Sequence, residues 1–117
     1  MPECLFCKIV SGAIPAKKVY EDEDVLAFHD IRPIAPVHFL MIPKAHVATL
    51  YDAGMEHQAV LGKILAMAGK LARELGVTDG FRTIINCGRV GHQEVYHLHM
   101  HVIGGPEPLG PMISKGK

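Results

Sequence analysis

Three of the eight histidines in this chain fall within five residues, in the run His97-Leu98-His99-Met100-His101-Val102-Ile103. Polar and apolar residues alternate there, the pattern of a half-buried strand, because successive strand side chains point to opposite faces. The alternation sends Leu98, Met100 and Val102 toward a core. It leaves His97, His99 and His101 on the other face, about 6.6 Å apart per step. Three imidazoles in a row make a poor core surface and a poor solubility device. Two chemistries suit them better than a plain surface strand with incidental histidines. Two of the rings could ligate a metal, or one could attack phosphorus while its neighbours hold its tautomer. Imidazole is available in its neutral form near pH 7, and the phosphorus–nitrogen bond it forms is labile to water. Repulsion among protonated neighbours favours the neutral form.

The second chemical feature is the pair Cys4-Leu5-Phe6-Cys7. A C-x-x-C spacing suits a metal site but also suits two small buried residues. With Cys87 the chain has three cysteines, and an odd count argues against a disulfide framework.

The elements that must carry these residues follow from periodicity. Residues Leu5 to Val10 read as a short helix stopped by Gly12. Ile14-Pro15-Ala16 reads as an extended connection, since Pro15 disfavours helical backbone at Ile14. Val19-Tyr20 and Val25 to Phe28 read as strands joined by the acidic turn Glu21 to Asp24. Ile31 to Pro36 is a loop, and Val37 to Ile42 is a strand closed by Pro43. Val60, Leu61, Ile64, Leu65, Ala68, Leu71, Ala72 and Leu75 recur at helical spacing, with Lys63, Lys70, Arg73 and Glu74 opposite and Gly76 as the stop. Phe81 to Asn86 reads as a strand, Cys87 to Gln93 as a glycine-bearing loop, and Val95 to Ile103 as a long strand ended by Gly104-Gly105-Pro106. The tail from Pro106 has no regular pattern. The expected fold is α+β, an antiparallel sheet of about five strands with one long helix packed on it and a short N-terminal helix. A chain of this length fits one domain, residues 1–117.

Bulk properties narrow the function. The formal net charge is zero with histidines neutral, so no broad basic field invites nucleic acid. No apolar run approaches the roughly 20 residues that cross a bilayer. The opening Met1-Pro2-Glu3-Cys4 lacks the pattern of a signal peptide, so the expected location is the cytoplasm and no membrane partner is expected.

The run His97 to Ile103 resembles the signature of the histidine triad (HIT) family, His-φ-His-φ-His-φ-φ with φ apolar. Further blocks resemble the family in order: Phe28-His29-Asp30-Ile31-Arg32-Pro33, Ala35-Pro36-Val37-His38, Ile42-Pro43-Lys44-Ala45-His46, then Asn86, Gly91 and Gln93-Glu94-Val95-Tyr96. The likeness covers Cys4 to about Met112 and is strongest to the Hint-type branch of nucleoside phosphoramidate hydrolases. It implies that His99 attacks the α-phosphorus of a purine nucleoside monophosphate bearing an amine or related leaving group. No cofactor is needed for that chemistry. His101 contacts the phosphate, His38 supports His101, and His97 completes the catalytic triad. Asp30 and Ile31 match the ribose and base contacts, although Asp30 also suits a turn before Pro33. Asn86 and the segment Gly91, His92, Gln93 and Glu94 match the phosphate-binding loop.

The sequence departs from the Hint pattern at Gly91-His92-Gln93, where many members have Gly-Gly-Gln. It also has Glu94 where some have a serine that serves the leaving nitrogen. The resemblance further implies a structural zinc held by Cys4, Cys7, His46 and His97, and a homodimer built on the long helix and later strands. Three rival readings are a dinucleoside polyphosphate hydrolase, a metal-dependent hydrolase using the triad with His38, and a nucleotide-binding regulatory module with weak catalysis.

Overall fold

Alternation along the central strands splits their side chains between two cores, and one helix covers each. The computed structural model describes residues 4–113. Its elements are α1 (Leu5–Ser11), β1 (Lys18–Glu21), β2 (Val25–His29), β3 (Val37–Pro43), a 3-10 turn (Met55–His57), α2 (Gln58–Glu74), β4 (Arg82–Ile84) and β5 (Met100–Gly104). The five strands form one sheet in the order β1-β2-β3-β5-β4, with every pairing antiparallel.

On one face Val25, Ala27, Phe39, Met41, Met100 and Val102 pack against Ile64, Ala68, Leu71 and Ala72 of α2. Full burial of Ile64 or Leu71 is worth about 1.5–3 kcal/mol each. The helix stops where the periodicity predicts, with Gly76 at φ 91°. Leu65 departs from the expected apolar stripe: it is 60% exposed. The stripe that meets the sheet is narrower than the sequence suggests. On the other face Leu26, Phe28, Leu40 and Ile42 pack against Cys4, Phe6 and Ile9 of the N-terminal segment. Helix α1 ends as expected at Gly12, in the left-handed conformation with φ 89°.

The last strand is shorter than its alternating pattern predicts. Pairing of β5 with β3 starts at Met100, opposite Met41, and residues 95–99 lie outside the ladder. Competing partners draw this stretch away. The Leu98 N–H donates to the Val47 carbonyl at 2.7 Å, and the His97 ring bonds the Pro43 carbonyl at 2.7 Å. His97, Leu98 and His99 are all buried as a result. The described part of the tail, from Pro106 to Ile113, has no helix or strand. Met1 to Glu3, on which the leader reading partly rests, and the tail's final residues lie outside the described residues.

Candidate active site

Each triad ring has a distinct set of partners, and those partners fix which nitrogen carries a proton. A carbonyl oxygen only accepts, so a ring nitrogen facing one must be an N–H. His99 Nδ1 lies 2.8 Å from the His97 carbonyl, so Nδ1 donates and the neutral ring keeps its lone pair on Nε2. His38 works from the other end. The backbone N–H of Ile34 donates to His38 Nδ1 at 3.2 Å, so the proton of the neutral ring sits on Nε2. That Nε2–H lies 2.9 Å from His101 Nδ1 and 3.3 Å from Asp30 Oδ2. His101 Nδ1 therefore accepts, and its own proton sits on Nε2. The relay needs two strands in register. Leu40 pairs with His101 and His38 with Ile103, so His38 and His101 are diagonal neighbours on one sheet face.

Burial favours the neutral forms this chain of bonds requires. Loss of water, then repulsion from His99 and His38, pushes the His101 pKa down to about 4. Loss of water also lowers the His38 pKa, against the opposing pull of the Asp30 carboxylate. Phe6 closes the triad from above, with its ring edge-on to His99 at 5.1 Å between centroids.

A cleft of about 570 Å³ opens over these groups, within the usual range for small-molecule sites. Its apolar wall comes from Leu5, Phe6, Ile9, Ile14 and Phe28, and its polar lining includes Asp30, His38, Asn86, His92, Glu94, His99 and His101. Ile31 also lines it and is 92% exposed, an apolar side chain free to meet a flat ligand.

A family model for the HIT domain matches residues 11–107. The chain belongs to the HIT family. It is 47% identical to the purine nucleoside phosphoramidase of Escherichia coli (strain K12) over 113 residues, covering 96% of this chain and 94% of that one. The HIT family hydrolase of Legionella pneumophila Philadelphia 1 superposes with a TM-score of 0.88 at 48% identity, covering 93% of this chain and 98% of that one. A zinc-bound histidine triad family protein from Mycobacterium smegmatis superposes at 0.78 with 41% identity, covering 88% of this chain and 75% of that one.

Within this HIT domain three expected cleft residues lie elsewhere. Gln93 is buried, and its amide is spent on the backbone. Oε1 accepts from Gly88 N–H at 2.9 Å, while Nε2 donates to the carbonyls of Ala48 at 2.8 Å and Val95 at 3.0 Å. Gly91 is packed against Cys87, where an added Cβ would lie 2.5 Å from the carbonyl oxygen and 2.8 Å from the nitrogen. Both residues shape the loop and neither lines the cleft. The amides of His92 and Gln93 are engaged within the loop, donating to the carbonyls of Arg89 and Gly88. His97 also leaves the row of triad rings, because its ring turns toward the cysteines.

The four candidate zinc ligands converge. The sulfurs of Cys4 and Cys7 and Nδ1 of His46 and His97 all lie within 4.8 Å of one another. Cys4 Sγ is 3.3 Å from His97 Nδ1, and Cys7 Sγ is 3.3 Å from His46 Nδ1 and 3.5 Å from His97 Nδ1. A tetrahedral zinc with its usual bond lengths has sulfur–nitrogen edges of about 3.5 Å. The tautomer also suits a metal: the Pro43 carbonyl takes the Nε2 proton of His97, which leaves a lone pair on Nδ1. Cys4 Sγ further accepts the Cys7 N–H at 3.3 Å. Burial, with Cys4 beside it, raises the Cys7 thiol pKa, so binding a cation there must displace protons.

Sequence reasoning missed the apolar wall of the cleft and the Ile34 N–H. Phe6 had a usable signal. It lies between two cysteines expected to meet His97, so it had to lie beside the triad.

Proposed function

We infer that this chain cleaves a purine nucleoside 5′-monophosphate from an amine or related leaving group, through a covalent nucleotidyl intermediate on His99 Nε2. The observation that carries the reading is the His99 Nδ1–H bond to the His97 carbonyl. It leaves the lone pair of the neutral ring on Nε2, in a residue that lines the cleft. His101 would present its Nε2–H to a phosphate oxygen, with its tautomer set through His38 and the Ile34 amide. Asp30 and Ile31 would take the ribose and base, and Asn86 a phosphate oxygen. The identity to a purine nucleoside phosphoramidase over nearly the whole chain favours this substrate class over dinucleoside polyphosphates.

Water would then attack the phosphorus, break the bond to Nε2 and release the nucleotide. His99→Gly should abolish turnover of a nucleoside phosphoramidate while nucleotide binding, read by calorimetry, largely persists. Turnover retained within about tenfold, roughly 1.4 kcal/mol of barrier, refutes the assignment. A regulatory module with weak catalysis predicts little labelled protein after a single turnover with a radiolabelled substrate.

A zinc ion on Cys4, Cys7, His46 and His97 would be structural, tying the N-terminal segment to the triad. A second group, Asp30, His38 and His101, has ligand atoms within 4.8 Å and gives the metal-dependent alternative its footing. Both ring nitrogens of His38 are already engaged there, one by the Ile34 amide. Activity that survives a strong chelator, with the fold monitored in parallel, separates the two. We read the whole chain, 1–117, as one domain acting as a cytoplasmic homodimer. No helix among the described residues is long and apolar enough to cross a membrane.

A further inference from the structure

Residue 92 adopts left-handed backbone, with φ 62°. Glycine takes that conformation freely, whereas a residue with a Cβ loses roughly 1–2 kcal/mol. The loop keeps glycine at 91, where a side chain would strike Cys87, yet places a histidine at 92. The imidazole is exposed, and its Nε2 lies 3.2 Å from Oε2 of an equally exposed Glu94. So open an ion pair adds little stability, and folding does not account for it. Both side chains line the cleft that holds His99 and His101.

We propose that His92 and Glu94 form the acid–base dyad for the leaving group, a role that rests on the phosphoramidate reading above. An amine leaves phosphorus poorly as an anion and needs a proton as the bond breaks. The triad cannot supply it easily. His99 is the nucleophile with its Nδ1–H held by a carbonyl, and His101 is held as a phosphate donor. His29 stands at the end of β2 beside the ribose and base residues. Glu94 holds His92 by Nε2–H and leaves Nδ1 for the substrate, the division of labour of a carboxylate-oriented imidazole.

The steps balance. His99 Nε2 attacks phosphorus, and the phosphorus–nitrogen bond breaks with its electron pair on nitrogen. That nitrogen takes the Nδ1 proton of the His92 imidazolium, so the amine leaves neutral. Neutral His92 then takes a proton from the water that attacks the nucleotidyl-histidine, and the electron pair of the breaking bond returns to His99.

The test measures kcat/KM of the full chain over adenosine 5′-phosphoramidates whose amines span a range of basicity, with the nitrophenyl ester of the same nucleotide as a leaving group that needs no proton. His92→Gly suits the backbone, because glycine favours this φ. In this variant the rate on the most basic amine should fall roughly 10²-fold relative to the nitrophenyl ester. Glu94→Gln should shift the ratio in the same direction by less. Imidazole buffer should restore the amine reactions of His92→Gly in proportion to its concentration. An equal loss on every substrate marks a merely structural residue and overturns the dyad, as does an unchanged ratio. Wild-type protein that cleaves none of the series overturns the phosphoramidate reading and the dyad with it. Wild-type cleavage with a His92→Gly variant of unchanged leaving-group dependence sinks the dyad alone.

Discussion

Acidification should weaken this fold through His101 in particular. The folded His101 pKa lies near 4, against an ordinary 6.5, because burial and the flanking His99 and His38 disfavour its charged form. Between those values the unfolded chain binds a proton that the folded chain refuses. The contribution is therefore fully present above about pH 6.5 and is lost as pH falls toward 4. At about 1.36 kcal/mol per pH unit the gap corresponds to at most about 3 kcal/mol. The ring keeps some contact with water, which brings the expected loss to about 1.5–2 kcal/mol. Urea denaturation of wild type and His101→Gln at pH 7, 6, 5 and 4 checks this. Glutamine removes the titration, so the variant starts less stable but should lose about 1.5–2 kcal/mol less over the interval. Proton effects at the cysteine–histidine cluster are common to both proteins and cancel. If the two proteins lose stability in parallel down to pH 4, the argument from His101 burial is wrong.

Elemental analysis after expression with added zinc should find one zinc per chain. Cys4→Ser with Cys7→Ser should remove it and lower the melting temperature, yet leave measurable hydrolysis. Zinc-free wild type refutes the site, and a folded double variant devoid of chemistry makes the metal catalytic instead. Gly91→Ala should cost about 1–3 kcal/mol in chemical denaturation, because its Cβ would meet Cys87 backbone at 2.5 Å and a backbone atom yields little. A variant within about 0.5 kcal/mol of wild type shows that the loop shifts freely. Light scattering at micromolar concentration should return the mass of a dimer, and exposed Leu65 on α2 makes Leu65→Glu the natural variant to weaken it. A strictly monomeric wild type refutes the assembly.

Much of this architecture is legible in local pattern. The spacing from Val60 to Leu75 gives α2, Gly12 and Gly76 give two helix ends, and the run from Val37 to Ile42 gives the central strand. The histidine alternation correctly puts Met100 and Val102 on the α2 side. It fails from Val95 to His99, because nothing local says that Leu98 bonds the Val47 carbonyl and His97 the Pro43 carbonyl in place of a ladder. Tautomers are illegible for the same reason. His38 and His99 are the same residue type, and only the Ile34 N–H at one and the His97 carbonyl at the other make them differ. Gln93 looks like a phosphate ligand until its three backbone partners are known. Leu65 sits in a periodic apolar stripe, but the helix's rotation about its axis decides which edge of that stripe meets the sheet.

Helix α1 spans only seven residues, well short of the roughly 12–15 an isolated helix needs to persist in water. It stays folded because Phe6 and Ile9 are seated on the sheet and its N-cap is a cysteine whose sulfur also meets His97. The same few residues form the apolar wall of the cleft. A single local opening of this segment, well below the cost of global unfolding, would dismantle the cysteine–histidine cluster and the apolar wall of the cleft together while the α2 core stayed intact. Amide exchange in α1 would then report on both sites at once, and a ligand at either would slow exchange for the other.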